Sequence, residues 1–384
     1  MQGAARRLQA AVRQKTRAEL PIIDHERWMS GDHRSQHAVS VGNMLENKLT
    51  ERLYCLWYTF EDCWYPGPGG WVIRTVHDPW GTSKNVIVLA GSDDAGTAAA
   101  VERFAEMLGD GETVSIGHTI STRMAPEVEE GIRRACGVPD PEYARRNLDR
   151  RNQRSLMSNA ARVGMAYARS GDPRRARMLV VYLLEHKRRP ELGHDTHMEL
   201  WKTIRAWDNV EECPAISDDE RLEITNYLLH VLRSHEGVFN SMFVGSLGRS
   251  VVRHNHHMLA AMDAYYGGHY LKKYHQLSDA DDWLDMAKFC FASQEAHDKG
   301  QDESGNYEMS TALRPLLPYA YTEPGYQFLP SGVARSFLDR CCTAIDNRYS
   351  LSGHGDCWDV DCFAPLALGI GAWYYRDRGY QYIL

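Results

Sequence analysis

The chain has 384 residues and a net charge of −7, with 43% hydrophobic and 25% charged side chains. That length exceeds one compact core and calls for two domains. The acidic balance excludes a general nucleic-acid binder, whose domain is ordinarily basic, but an anionic ligand in a locally positive cleft stays open.

Residues 1–20 read as a basic helix, with Leu8, Val12 and Leu20 spaced between Arg and Lys. Charges run throughout it, without the apolar stretch of a signal peptide. Either the protein stays inside the cell or the chain shown has lost its true start. Segment 21–84 is aromatic-rich and irregular. Trp57, Tyr58, Phe60, Trp64, Tyr65 and Trp71 surround a Pro66-Gly67-Pro68-Gly69-Gly70 run that is turn chemistry. Those rings either cover one face of a small sheet, the commoner use of aromatics, or stack on sugar rings. Segment 85–96 is a short β-branched run followed by Gly91-Ser92-Asp93-Asp94-Ala95-Gly96, and 97–108 is helical, so the three form a β-turn-α unit. The turn lacks the close-set glycines of a dinucleotide loop, and its two aspartates repel a pyrophosphate. The unit resembles the small α/β domain that precedes the catalytic domain in several large carbohydrate-active enzymes, which implies a structural role.

Pro139-Asp140-Pro141 marks the expected boundary between an α/β accessory domain, 1–140, and a helical domain, 141–384. Helices are predicted at 143–170, 173–185, 196–210, 218–234, 255–266, 279–296, 310–319, 332–346 and 361–375. Gly and Pro mark the loops between them, Gly267-Gly268 among these. Ser217 ahead of Asp218-Asp219-Glu220 is the expected N-cap of its helix. Successive helices without intervening strands predict stacked helical hairpins. No strict repeat is visible, so the fold class expected is mainly α, an (α/α)n toroid with a small N-terminal α/β domain. The abrupt apolar end, Tyr380 to Leu384, reads as a truncation of a longer protein. No apolar run of about eighteen residues occurs, so no membrane-spanning helix is expected. The nine cysteines are odd in number and form no Cys-x-x-Cys, which disfavours a zinc knuckle or a disulfide framework. A pairing of Cys357 with Cys362 stays open.

Arg253-His254-Asn255-His256-His257 stands where a helix is predicted to begin. Free N–H groups and the positive dipole end favour anions there and keep imidazole neutral, able to act as a base. A solvated cap is the plain alternative. A metal site is disfavoured, since no His-Glu-x-x-His or comparable spacing appears; no metal and no cofactor are expected. The run is similar to the Asn-His segment of toroid polysaccharide lyases, the broad heparinase and alginate-lyase-like group. Segments 201–208 and 302–307 resemble that group too, and the likeness spans about 150–345. The resemblance implies that the asparagine and histidine flank a uronate carboxylate and that a tyrosine completes the site.

The expected reaction is β-elimination on an anionic polysaccharide, the one partner expected. A base removes the weakly acidic C5 proton of a uronate, donors hold the charge that builds on its carboxylate, and an acid protonates the departing O4 oxygen. Arg253, His254 and Asn255 are the donors chosen and His256 the base. Tyr307 is the acid, or serves both steps if nearby cations lower its phenol pKa. Tyr319, Tyr321 and Tyr326 compete for that role, with Tyr321 retained as a catalytic candidate. His197, Trp207, Asp208, Glu303 and His354 are the candidate substrate contacts. The rival site is 354–361, whose aspartates suit a glycoside hydrolase. A non-catalytic glycan-binding protein is the third reading.

Overall fold

The structure, a computed structural model, describes residues 2–32, 34–109, 111, 115–189, 198–244, 255–295, 319–320, 323, 325–346, 350–351, 360–361 and 364–383. It is mainly helical with a small four-stranded sheet. The chain divides into two compact units, Met1–Leu228 and Leu229–Leu384.

The first unit opens with α1 (Gln2–Thr16), whose Ala4, Leu8, Val12 and Thr16 recur every four residues and are buried while its arginines face outward. Then follow α2 (His25–Ser30), β1 (Ala38–Val41), α3 (Lys48–Cys55), β2 (Trp71–Val76), β3 (Val86–Gly91), α4 (Asp94–Met107), β4 (Ile120–Arg123) and α5 (Pro126–Cys136). The strands form a mixed sheet in the order β1-β3-β2-β4, with β1 parallel to β3 and β2 antiparallel to both neighbours. Ile73 and Leu89 are paired in register and share one face with α1 and α4. Val76, Val86, Val88 and Ala90 face the other way, onto Leu49 and Leu53 of α3. The alternation of β2 and β3 thus buries both faces of the sheet.

At the turn between β3 and α4, Asp93 caps the helix. Its carboxylate accepts from the N–H of Gly96 (2.7 Å) and of Gly69 (2.8 Å), and these bonds lower its pKa. A Cβ on Gly96 would meet the Gly70 carbonyl oxygen at 2.1 Å. The first turn of α4 is therefore covered by the chain's own 66–70 loop, which gives the aspartates and glycines of the turn a structural use.

Next come α6 (Pro141–Arg146), a 3-10 turn (Leu148–Arg150), α7 (Gln153–Ser170), α8 (Pro173–Arg188), α9 (Leu200–Val210) and α10 (Asp218–Val244). The predicted helix 143–170 is thus two helices, because the Asn152 side chain caps a fresh start by accepting from Ser155 N. Pro139-Asp140-Pro141 starts α6, with Asp140 accepting from Tyr143 N, and is not an edge of the compact units. Packing runs across it: Ala168 of α7 joins Phe60, Tyr65 and Val72 in one apolar cluster. Ser217 and Glu220 form the reciprocal capping box that opens α10.

The second unit contains α11 (Asn255–His275), α12 (Asp279–Glu295), α13 (Val333–Ala344), the strand pair β5 (Ser350–Leu351) and β6 (Val360–Asp361), α14 (Ala364–Tyr375) and α15 (Arg378–Ile383). Asp361, expected at a helix start, ends β6 instead. Gly267-Gly268, expected as a loop, lies inside α11. A Cβ on Gly268 would meet Leu284 Cγ of α12 at 2.9 Å. Gly268 thus serves close helix approach rather than a turn, and packing outweighs its low helix propensity.

Candidate functional site

Asn255, His256 and His257 lie on α11, and the residues after His257 enter the core of the second unit at once. Met258, Ala260, Ala261, Asp263 and Ala264 are fully buried. His257 is half-buried, and its carbonyl accepts from Cys290 Sγ of α12 at 3.7 Å. Arg253, His254, Tyr307, Tyr321, His197, Glu303 and His354 lie outside the described residues, as do the side chains of Asn255 and His256.

Two of the competing tyrosines are packing residues. Tyr319 sits among Tyr265, Phe291 and Tyr326 at centroid separations of 5.1, 4.4 and 4.9 Å. Tyr326 donates to the Phe291 carbonyl at 2.6 Å. Burial raises both phenol pKa values, opposite to what a phenol needs in order to take a carbon-bound proton. Beside them Glu323 accepts from the Tyr265 hydroxyl (2.7 Å) and lies 3.6 Å from His269 Nε2. Its burial works against ionisation, but the bonds from His269 and Tyr265 prevail and its pKa falls. Glu323 thereby ties this stretch to α11, a role its sequence context does not signal.

Among the described substrate candidates, Trp207 is 0% exposed and its indole N–H donates to Thr225 Oγ1 at 3.2 Å. The ring fills the core and presents no face to a sugar, which corrects the expectation of a substrate contact. Asp208 accepts from the Tyr58 hydroxyl at 2.8 Å, pinning the 57–58 loop to α9, and Asn209 donates to the Trp57 carbonyl at 3.2 Å.

The aromatic segment 57–71 sorts by the partner of each ring. Trp57 lies 3.5 Å from the Arg205 guanidinium, Tyr58 is held by Asp208, and Phe60 and Tyr65 are buried. Trp64 is 80% exposed and stands at the mouth of a cavity of about 490 Å³ formed by α3, α5, α7 and the 60–65 turn. Asp62 builds that turn, its carboxylate accepting from Trp64 N (2.7 Å), Tyr65 N (2.8 Å) and the Tyr54 hydroxyl (2.9 Å). Behind the cavity Arg74 and Glu61 form a buried ion pair, both N–O separations 3.3 Å.

Among the described residues no group of three or more His, Cys, Asp or Glu side chains is placed to hold a metal ion. Cys55, Cys63, Cys136, Cys213 and Cys290 are free thiols. No helix among the described residues is long and apolar enough to cross a membrane. Comparison with protein-family models, with curated proteins and with solved structures returns no match.

Proposed function

We propose that the chain is a polysaccharide lyase of the helical-toroid type, similar to the heparinase and alginate-lyase-like group, that opens a uronic-acid polymer by metal-independent β-elimination. What supports this reading is that Asn255, His256 and His257 lie on α11, which enters the core from Met258 onward. The Arg253-to-His257 run groups guanidinium, imidazole and amide donors of the kinds that hold a carboxylate. Short links join α7 to α8 and α11 to α12, the hairpin unit from which a toroid is built.

Asn255, His254 and Arg253 hold the uronate carboxylate and stabilise the charge that builds on it. His256 takes the C5 proton. The C5–H electron pair becomes the C4–C5 double bond, the C4–O4 bond breaks, and O4 leaves with a proton from Tyr307. Tyr321 is the second candidate for that acid, since burial and raised pKa values weigh against Tyr319 and Tyr326.

The test is a panel of uronate polysaccharides followed by the ultraviolet absorbance of an unsaturated uronate end. The absorbance is expected to rise with at least one polymer. His256→Ala and Tyr307→Phe are each expected to lower the rate at least about a hundredfold, the scale of a lost acid or base, with unchanged circular dichroism. New reducing ends without the absorbance would move the assignment to a hydrolase. Full activity in either variant would remove that residue's role.

A further inference from the structure

We propose that the cavity beside Trp64 in the first unit is a non-catalytic subsite for a single acidic pyranose, a uronate ring stacked on Trp64 with its carboxylate on Arg169. The lyase reading makes a uronate the natural occupant, but the argument for the site is independent of it.

Trp64 and Arg169 are each held ready and left unused. An exposed aromatic alone is unremarkable. Trp64 differs in being held by a turn whose carboxylate, Asp62, is fully engaged by Trp64 N, Tyr65 N and Tyr54 Oη. Its ring has no stacking or hydrogen-bond partner among the described residues, so its face is open to a ligand. Arg169, on α7, is also exposed and lines the same cavity. Its guanidinium lies 5.1 Å from the centroid of Phe60, and no described carboxylate comes within ion-pair distance of it. Arg162, also of this wall, is occupied by the Ala135 carbonyl and the Asn159 side-chain oxygen. Arg169 is therefore the cation left available.

An apolar floor, one open aromatic face and one uncompensated guanidinium match a ring that carries a carboxylate. The ring's C–H face meets the indole, and the planar fork of Arg takes the carboxylate in two bonds. At about 490 Å³ the cavity falls within the roughly 300–1,000 Å³ of small-ligand sites. Asp62 in the lining accepts three hydrogen bonds from the chain's own donors, and with Arg162 and Arg169 beside it the charged groups of the wall sum to a positive charge.

The probe is methyl glucuronide, which has no glycosidic leaving group at O4 and so cannot be eliminated. It is titrated into the isotope-labelled full chain while the Trp64 indole N–H resonance, identified by its absence in Trp64→Ala, is followed. A saturable shift is expected, with methyl glucoside binding at least about fivefold more weakly. Arg169→Gln is expected to erase that preference while retaining the weak glucoside shift. No shift with the glucuronide, equal affinity for the two sugars, or an Arg169→Gln variant that keeps the preference would each overturn the subsite. Turnover of polymers plays no part in this readout, so the lyase reading can fail while the subsite stands, and the reverse.

Discussion

Aromatic rings are used differently in the two compact units. In the first, rings lie against guanidinium groups: Arg205 is 3.5 Å from Trp57 and 5.6 Å from Trp201, Arg151 is 5.3 Å from Tyr182, and Phe60 has Arg74 at 5.3 Å and Arg169 at 5.1 Å. In the second, the buried centre is ring on ring, running from Tyr265 and Phe291 through Tyr319 and Tyr326 to Phe328 and Phe337. Cations meet rings there as well, Lys273 on Tyr274 and Arg335 on Tyr375 outside that chain and Arg340 on Phe337 at its end, but its middle is ring on ring alone. The first unit thus depends on charges staying paired inside it, and the second on volume being filled. Pairing can leave a cation and a ring open at the surface, as at Arg169 and Trp64. Filling volume raises phenol pKa values and withdraws tyrosines from chemistry.

The most severe break in the first pattern is Arg74→Ala. Arg74 is 2% exposed and Glu61 0%, so the substitution strands a carboxylate in the core. Removal of one partner of a buried pair costs about 3–5 kcal/mol. A large fall in the urea midpoint is expected, and the double variant Arg74→Met with Glu61→Leu is expected to recover most of it. A midpoint within experimental error of the parent for Arg74→Ala would show that the pair contributes little.

The contrast was only half legible in the sequence. Period-four burial in α1, the β-turn-α unit, the Ser217 cap and the helix over 255–266 follow from local patterns, and the structure has them. Gly267-Gly268 misread as a loop because a glycine's use in close helix approach depends on Leu284, distant in the chain. Trp207 read as a sugar contact because burial is not a local property, and its partner Thr225 lies on the next helix. Trp64 stood undistinguished in a row of aromatics. Only the partners of its neighbours, Arg205 for Trp57 and Asp208 for Tyr58, show which ring is left over. Most of the candidate catalytic residues lie outside the described residues, so that part of the reading rests on sequence pattern.

A second, smaller effect concerns acid. His186 is fully buried on α8, its Nδ1 facing the Tyr227 hydroxyl and its Nε2 without a partner. Burial, with Arg189 adding, pushes its pKa down to about 4. The folded value lies below the unfolded value, so the unfolded chain binds the proton first. The stability this group contributes is complete above pH of about 6.5 and is lost as pH falls toward 4. For one buried histidine the loss is on the order of 2 kcal/mol. Urea midpoints at pH 7 and pH 4.5 are expected to differ less in His186→Phe than in the parent. An equal difference would mean that His186 is not the titrating group.

The smallest expected effect is the most diagnostic for the surface. If Trp64 were part of the packing, as Trp57 and Trp207 are, Trp64→Ala would destabilise by the few kcal/mol typical of an aromatic truncation. With its ring 80% exposed and the turn built by Asp62 and backbone N–H groups, the substitution removes little buried area and no hydrogen bond. Its effect on the urea midpoint should correspond to no more than about 0.5 kcal/mol, as for other surface positions. A loss several times larger would place the ring in the packing after all and return the whole 57–65 segment to a structural role. A neutral result alongside a lost glucuronide shift would separate display of this ring from packing.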